Sequence, residues 1–168
     1  MINTFYLCMT FTMLSTTSDF HLGEDARIAA CSYAESIATT SFELNLDPFV
    51  LSALIFQESR FETNAKSPQG ACGLTQVVAK YVPATCKQLT SNPVLSIEIG
   101  ATLLKDWLRR NDNSYDKSLQ CYATGYKCNH PLYAKKVLTR SKKLKKIYLL
   151  TKRKMNNALD QRNLNRSQ

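Results

Sequence analysis

Read as alternating apolar and polar positions, the chain is a run of helices interrupted by one irregular stretch. Ile28, Cys31, Ala34 and Ile37 recur at three- and four-residue intervals, which predicts a first helix over Asp25 to Ala38 with one apolar face. Phe42 to Leu46 reads as a short connection into a second helix. There Asp47 is a good N-cap and Pro48 has the φ that a first helical residue needs. Phe49, Ala53, Leu54 and Phe56 come next with too few polar interruptions for a surface helix, so a largely buried helix is predicted from about Pro48 to Arg60. Phe61 to Gly73 then loses periodicity, because Asn64, Ser67, Pro68, Gly70 and Gly73 break regular structure and let backbone approach a ligand.

Helical spacing returns at Pro83 to Leu89 and at Val94 to Arg110, the latter with Ile97, Ala101, Leu104 and Leu108 on one face. Gly100 inside that helix lowers its stability, which implies close packing against a neighbour. Trp107 continues the apolar face and is expected in the core rather than as a sugar platform. Asn111 to Ser114 reads as a turn and cap, leading into a short helix from about Asp116 to Ala123. Pro131 opens a closing helix in which Tyr133, Val137, Arg140, Leu144 and Ile147 keep helical spacing. The pattern is that of a mainly α chain.

Its 168 residues suffice for one core and are too few for two ordinary ones, so a single domain over 21–150 is expected. The formal charge of +9 is not spread evenly. Met1 to Ala134 carries 10 basic against 12 acidic residues, a net of −2, and Lys135 to Gln168 carries 12 basic residues and only Asp160, a net of +11. Beyond Thr151 there is almost nothing to bury, and residues 151–168 are expected to be disordered or frayed helix. Without aromatic interleaving or a binding motif, this basic end gives no signal for specific nucleic-acid binding. Anionic wall polymers, acidic peptides and membrane surfaces are the partners its charge suits, and mere solubilisation serves equally well.

Met1 to Ser18 has an apolar centre, Phe5 to Leu14, and then small hydroxyl residues; it reads either as an imperfect secretion leader or as a first helix within 1–20. The apolar run is short for a membrane span. Six cysteines point to an oxidising destination, periplasmic or extracellular. Cys8 would leave with any leader, Cys121 is expected to pair with Cys128 and Cys72 with Cys86, and Cys31 is left over. No Cys-x-x-Cys pair exists, and His21 and His130 are far apart, so no metal site is expected.

Chemistry concentrates at the end of the buried helix. Glu58 sits in its last turn, where burial and the negative end of the helix dipole both disfavour the carboxylate and raise its pKa. A proton held near neutral pH is what a general acid for glycoside cleavage requires. Taken alone, such a glutamate is more simply a solvated residue pairing with Arg60. The residues around and after it change the balance: Gln57-Glu58-Ser59, Asn64-Ala65-Lys66-Ser67 and Gly70-Ala71-Cys72-Gly73-Leu74-Thr75-Gln76, then Pro83-Ala84-Thr85, Asn92-Pro93, Ile97 to Leu104 and Cys121-Tyr122. Order and spacing resemble the lytic transglycosylase domain of the soluble-transglycosylase family over roughly residues 28 to 140.

The resemblance implies a lysozyme-like α+β fold with a short β element beside a sugar cleft. It implies Glu58 as the catalytic acid, and Ser67, Gln76 and Tyr122 as substrate-binding residues: Ser67 beside the acid, Gln76 at the start of the next helix, Tyr122 against the carboxylate and sugar. It implies peptidoglycan glycan strands as substrate, no cofactor, and a single carboxylate that cleaves without water. Secretion, conjugation and phage machines are the settings in which such domains occur, and a monomer is expected. Two departures stand out. Six residues, Val77 to Val82, separate Gln76 from Pro83 where relatives commonly have two, and Ala123 replaces a usual asparagine. Two rival readings remain: a lysozyme-like hydrolase with Glu62 or Asp106 as second carboxylate, and a wall-binding protein without activity.

Overall fold

Nine of the twelve residues of the helix Pro48–Ser59 are buried, and the remaining elements are arranged so as to bury them. The computed structural model of the chain describes residues 2–14 and 22–166. In chain order it comprises α1 (Thr4–Leu14), α2 (Glu24–Ser32), α3 (Ala34–Glu43), α4 (Pro48–Ser59), β1 (Ala71–Cys72), β2 (Val77–Val78), α5 (Cys86–Ser91), α6 (Pro93–Arg110), α7 (Tyr115–Thr124) and α8 (Pro131–Arg166). The strands form a two-stranded antiparallel hairpin with Ala71 opposite Val78 and Cys72 opposite Val77.

The start of α4 forms for the reason its sequence gives. Asp47 Oδ1 accepts the Phe49 amide hydrogen at 2.8 Å, with Pro48 in the first turn. Leu51, Leu54 and Ile55 have no exposed surface and meet Ile97, Leu104, Leu119, Val137 and Leu144 in one core. Burying each such side chain stabilises the fold by roughly 1.5–3 kcal/mol. The helix stops at Arg60, whose left-handed φ of 53° is succeeded by 67° at Phe61, so the chain leaves α4 sharply after Glu58. Phe61 itself turns back into the core, edge-on to Phe11.

One expectation is corrected. The single helix over Asp25 to Ala38 is two helices meeting at Tyr33 (φ −95°, ψ 0°), and the second continues to Glu43 through part of the expected connection. The bend lets α2 face α1 while α3 faces α4 and α6. Past Thr151, where disorder or frayed helix is expected, α8 runs on to Arg166. Its partner is α1: Leu7 and Phe11 are fully buried, Thr151 is buried, and the Tyr6 hydroxyl donates to Asn156 Oδ1 at 3.1 Å. The apolar surface that the tail's own composition lacks is supplied by the chain's other end. Cys8, which would leave with any leader, is bonded here to Cys31, left over in the pairing expected from sequence, while Cys72–Cys86 and Cys121–Cys128 pair as expected. The small hydroxyl residues after Leu14 lie outside the described residues, and no helix among those described is long and apolar enough to cross a membrane.

Candidate active site

Glu58 is carried by the last turn of α4 and is half-buried. The Tyr133 hydroxyl, from the first turn of α8, donates to Glu58 Oε1. One residue earlier, Arg140 Nη1 of α8 donates to Gln57 Oε1, and its guanidinium lies 5.0 Å over the Phe56 ring. Three successive residues of α4 are thus held by one face of α8. Burial raises the Glu58 carboxyl from 4.5 to about 7, and the Tyr133 hydrogen bond, which favours the carboxylate, pulls the other way. The phenols of Tyr122 and Tyr133 are both pushed up, first by burial and then by the charge of Glu58, so both rings lie within electrostatic range of the acid.

The stretch Leu74 to Gln76 connects this acid to the rest of the cleft, and each of its residues is fixed separately. Ser59 Oγ donates to the Leu74 carbonyl at 2.8 Å, tying the hairpin to the end of α4. Thr75 Oγ1 donates to the Ser96 carbonyl at 2.7 Å, while the Thr75 carbonyl accepts from the Tyr122 hydroxyl at 2.8 Å. Gln76 takes a left-handed φ of 48° and donates from Nε2 to the carbonyls of Ala65 and Gly73, at 3.0 and 2.9 Å. Two glycines make this approach possible. Gly73 has a φ of 75° and a Cβ there would press on the Leu89 carbonyl, while a Cβ on Gly100 would land inside the Thr75 side chain. The close packing expected at Gly100 is therefore real, and its neighbour is the hairpin turn.

Beside Gln76 opens a groove of about 700 Å³. It is lined by Val77, Val78, Tyr81 and Val82 from β2 and the segment after it, by Tyr122 to Tyr126 from the end of α7 onward, and by Leu103 and Trp107 of α6. Glu58 is not among the lining residues; it is linked to the groove through Tyr122, which lines it and lies within electrostatic range of the acid.

The residues singled out in the sequence take different places around this cleft. Tyr122 lies near Glu58 and lines the groove, but its hydroxyl is spent on Thr75, and the phenol that contacts the acid is Tyr133. Gln76 lines the groove from the turn between β1 and β2 rather than from the start of a helix, because its left-handed backbone closes that turn. Ser67 belongs to the hairpin: its hydroxyl accepts the Ala71 amide hydrogen at 3.1 Å across the Pro68–Gly70 turn, with no bond to Glu58. Trp107, expected in the core, is half-exposed and lines the groove, edge-on to Tyr126 at 5.2 Å. The apolar face of α6 covers more surface than the core has room for. Glu62 is exposed, and Asp106 pairs with Arg109 at 3.5 Å on the outer face of α6. Among the described residues no group of three or more His, Cys, Asp or Glu is placed to hold a metal.

The family model for the transglycosylase SLT domain matches residues 35–147, from the start of α3 into the middle of α8. The chain belongs to the transglycosylase SLT domain family. Its fold is the mainly α, lysozyme-like one of that family, whose members act on peptidoglycan. The SLT domain thus contains Glu58, the hairpin, the groove lining, Tyr133 and Arg140. Outside it lie α2, α1 and the distal part of α8, the last two packed on each other. Tyr133 and Arg140 were missed as site residues because their partners stand 75 and 83 positions away, and helical spacing announces only that they face inward.

Proposed function

We propose that this SLT domain is a peptidoglycan lytic transglycosylase in which Glu58 acts first as general acid and then as general base. The observation that carries the reading is a half-buried carboxyl, its pKa raised to about 7 by burial, close to Tyr122, which lines the groove. Near neutral pH a large fraction of Glu58 is protonated, ready to give its proton to the glycosidic oxygen between N-acetylmuramic acid and N-acetylglucosamine. As that bond breaks, the substrate's acetamido group stabilises the oxocarbenium-like carbon. The carboxylate left behind then takes the proton of the 6-hydroxyl of the same muramic sugar as its oxygen attacks, closing a 1,6-anhydro ring. Bonds and protons balance without water. The internal nucleophile has a high effective concentration, which makes a second carboxylate dispensable.

Tyr133 orients the carboxyl through its hydrogen bond, and Tyr122 and Gln76 carry the strand past it. Ser67 serves the site by shaping the hairpin. The exposed position of Glu62 and the outward pairing of Asp106 favour the single-carboxylate mechanism over hydrolysis. Three disulfides favour action in the periplasm or outside the cell. Mass spectrometry of digested peptidoglycan tests the reaction. Anhydromuramic ends, lighter by one water than reducing ends, are expected from the wild type and not from Glu58→Gln. Reducing ends would assign hydrolysis, and binding to sacculi with no product from either protein would assign a non-enzymatic role.

A further inference from the structure

The groove that Tyr122 lines also carries exposed aromatic side chains. Tyr81 is 75% exposed and Tyr126 is 82% exposed, yet both line the groove together with Trp107, which Tyr126 meets edge-on at 5.2 Å. Two large aromatic side chains left in water along one cavity are not needed by the core. Each also sits in a loop closed by a disulfide. Tyr81 lies between Cys72 and Cys86, and Tyr126 lies between Cys121 and Cys128. Loops fixed in this way lose little further freedom when they grip a ligand. Lys80 Nζ stands over the Tyr81 ring, 4.7 Å from its centre, and the Arg110 guanidinium stands over Trp107 and Tyr126 at 5.9 and 6.0 Å, so a cation steadies each ring.

We infer that Tyr81, Trp107 and Tyr126 form an aromatic clamp that stacks on the pyranose rings of the glycan strand on one side of the bond to be cut, and so sets how strand length affects turnover. The ligand class is a β-linked N-acetylhexosamine chain, whose rings present flat C–H faces to aromatic surfaces. Val77, Val78 and Val82 supply apolar lining to the same groove. Residues Val77 to Val82, which separate Gln76 from Pro83, thereby acquire a purpose: they build the part of the lining that carries Tyr81. This inference rests on the reading of the protein as a glycan-cleaving enzyme and names the part of the strand it holds.

Trp107 is the chain's single tryptophan, so its fluorescence reports on the clamp alone. Full-length Glu58→Gln protein is titrated with soluble β-1,4-linked N-acetylglucosamine oligomers and the Trp107 emission is tracked. A saturable blue shift is expected, with Tyr81→Ala and Tyr126→Ala each raising the midpoint concentration roughly three- to tenfold. Both tyrosines are exposed, so these variants are expected to fold. Because Tyr126 touches Trp107, affinity is read from the midpoint and not from the starting emission. No Trp107 response at any oligomer concentration, from a protein whose wild type still clears sacculi, overturns the clamp and leaves the proposed reaction standing. A response that neither substitution weakens also overturns it. A normal response from a protein that never yields anhydromuramic ends leaves the clamp standing and removes the proposed reaction.

Discussion

The two ends of the cleft obey opposite rules. At the acid end a carboxyl is withdrawn from water and held by one phenol, and its neighbours belong to the core: Tyr133 is 8% exposed and Ser59 7%. At the other end the aromatic rings stand out in solvent on loops tied by disulfides. Withdrawal shifts a pKa, which is a property of one atom group and needs a dry, closely packed setting. Display of aromatic surface leaves pKa values alone and determines what can be held. The segment Leu74 to Gln76 joins the two, bonded to α4 on one side and opening the groove on the other. If this division is right, substitutions at one end change the proton chemistry and those at the other change affinity.

The largest effect is expected from Glu58→Gln, which keeps the shape of the side chain and removes its proton. The rate of release of soluble fragments from peptidoglycan should fall roughly 100- to 10,000-fold, with binding to sacculi retained. The same substitution should stabilise the fold in a pH-dependent way. The folded carboxyl titrates at about 7 against 4.5 when unperturbed, so the folded state holds the proton more tightly. Stability of the wild type therefore declines as pH rises from 4.5 to 7 and stays lowered above that. Glu58→Gln should gain at most about 3 kcal/mol above pH 7, less for the partial exposure of the group, and nothing below pH 4.5; urea unfolding at the two extremes checks this.

Replacing Cys72 and Cys86 together by serine opens the loop that bears Tyr81. Stability should drop by about 3 kcal/mol, a fall in Tm of roughly 6–12 °C by calorimetry. KM for glycan strands should rise while the alkaline limb of the pH–rate profile stays near 7, since the acid end is untouched. A smaller and opposite signature is expected from Tyr133→Phe. Loss of a hydrogen bond that favours the carboxylate should move that limb to higher pH, and the rate at the optimum should fall a few-fold as the carboxyl loses its orientation. A limb that stays in place would detach Tyr133 from the proton chemistry.

Much of the acid end could be read from the chain. The cap at Asp47, the apolar run after it and the Glu-Ser at its end predict a buried helix that terminates in a carboxyl, and the structure has all three. The packing demand at Gly100 was also legible, because glycine in a helix interior needs a reason. Tyr133 was not, since pairing over 75 positions leaves no local trace. The groove end was misread at Trp107, whose helical spacing is the same whether the inward direction meets core or cavity. The length of the closing helix was less legible for a related reason. Its polar composition offers little to bury, and only the position of α1, a hundred and more residues earlier, supplies a partner. Local pattern gives the direction in which a side chain faces, and tertiary structure decides what it meets there.

The most direct test is a titration of the Glu58 carboxyl itself. In protein labelled with carbon-13 at the glutamate side-chain carboxyl, the resonance that disappears in Glu58→Gln is monitored by NMR across pH. The account predicts a midpoint near 7 for that resonance. A midpoint at the ordinary glutamate value of 4.5 would contradict it, because a carboxyl ionised throughout the neutral range has no proton to give to the glycosidic oxygen.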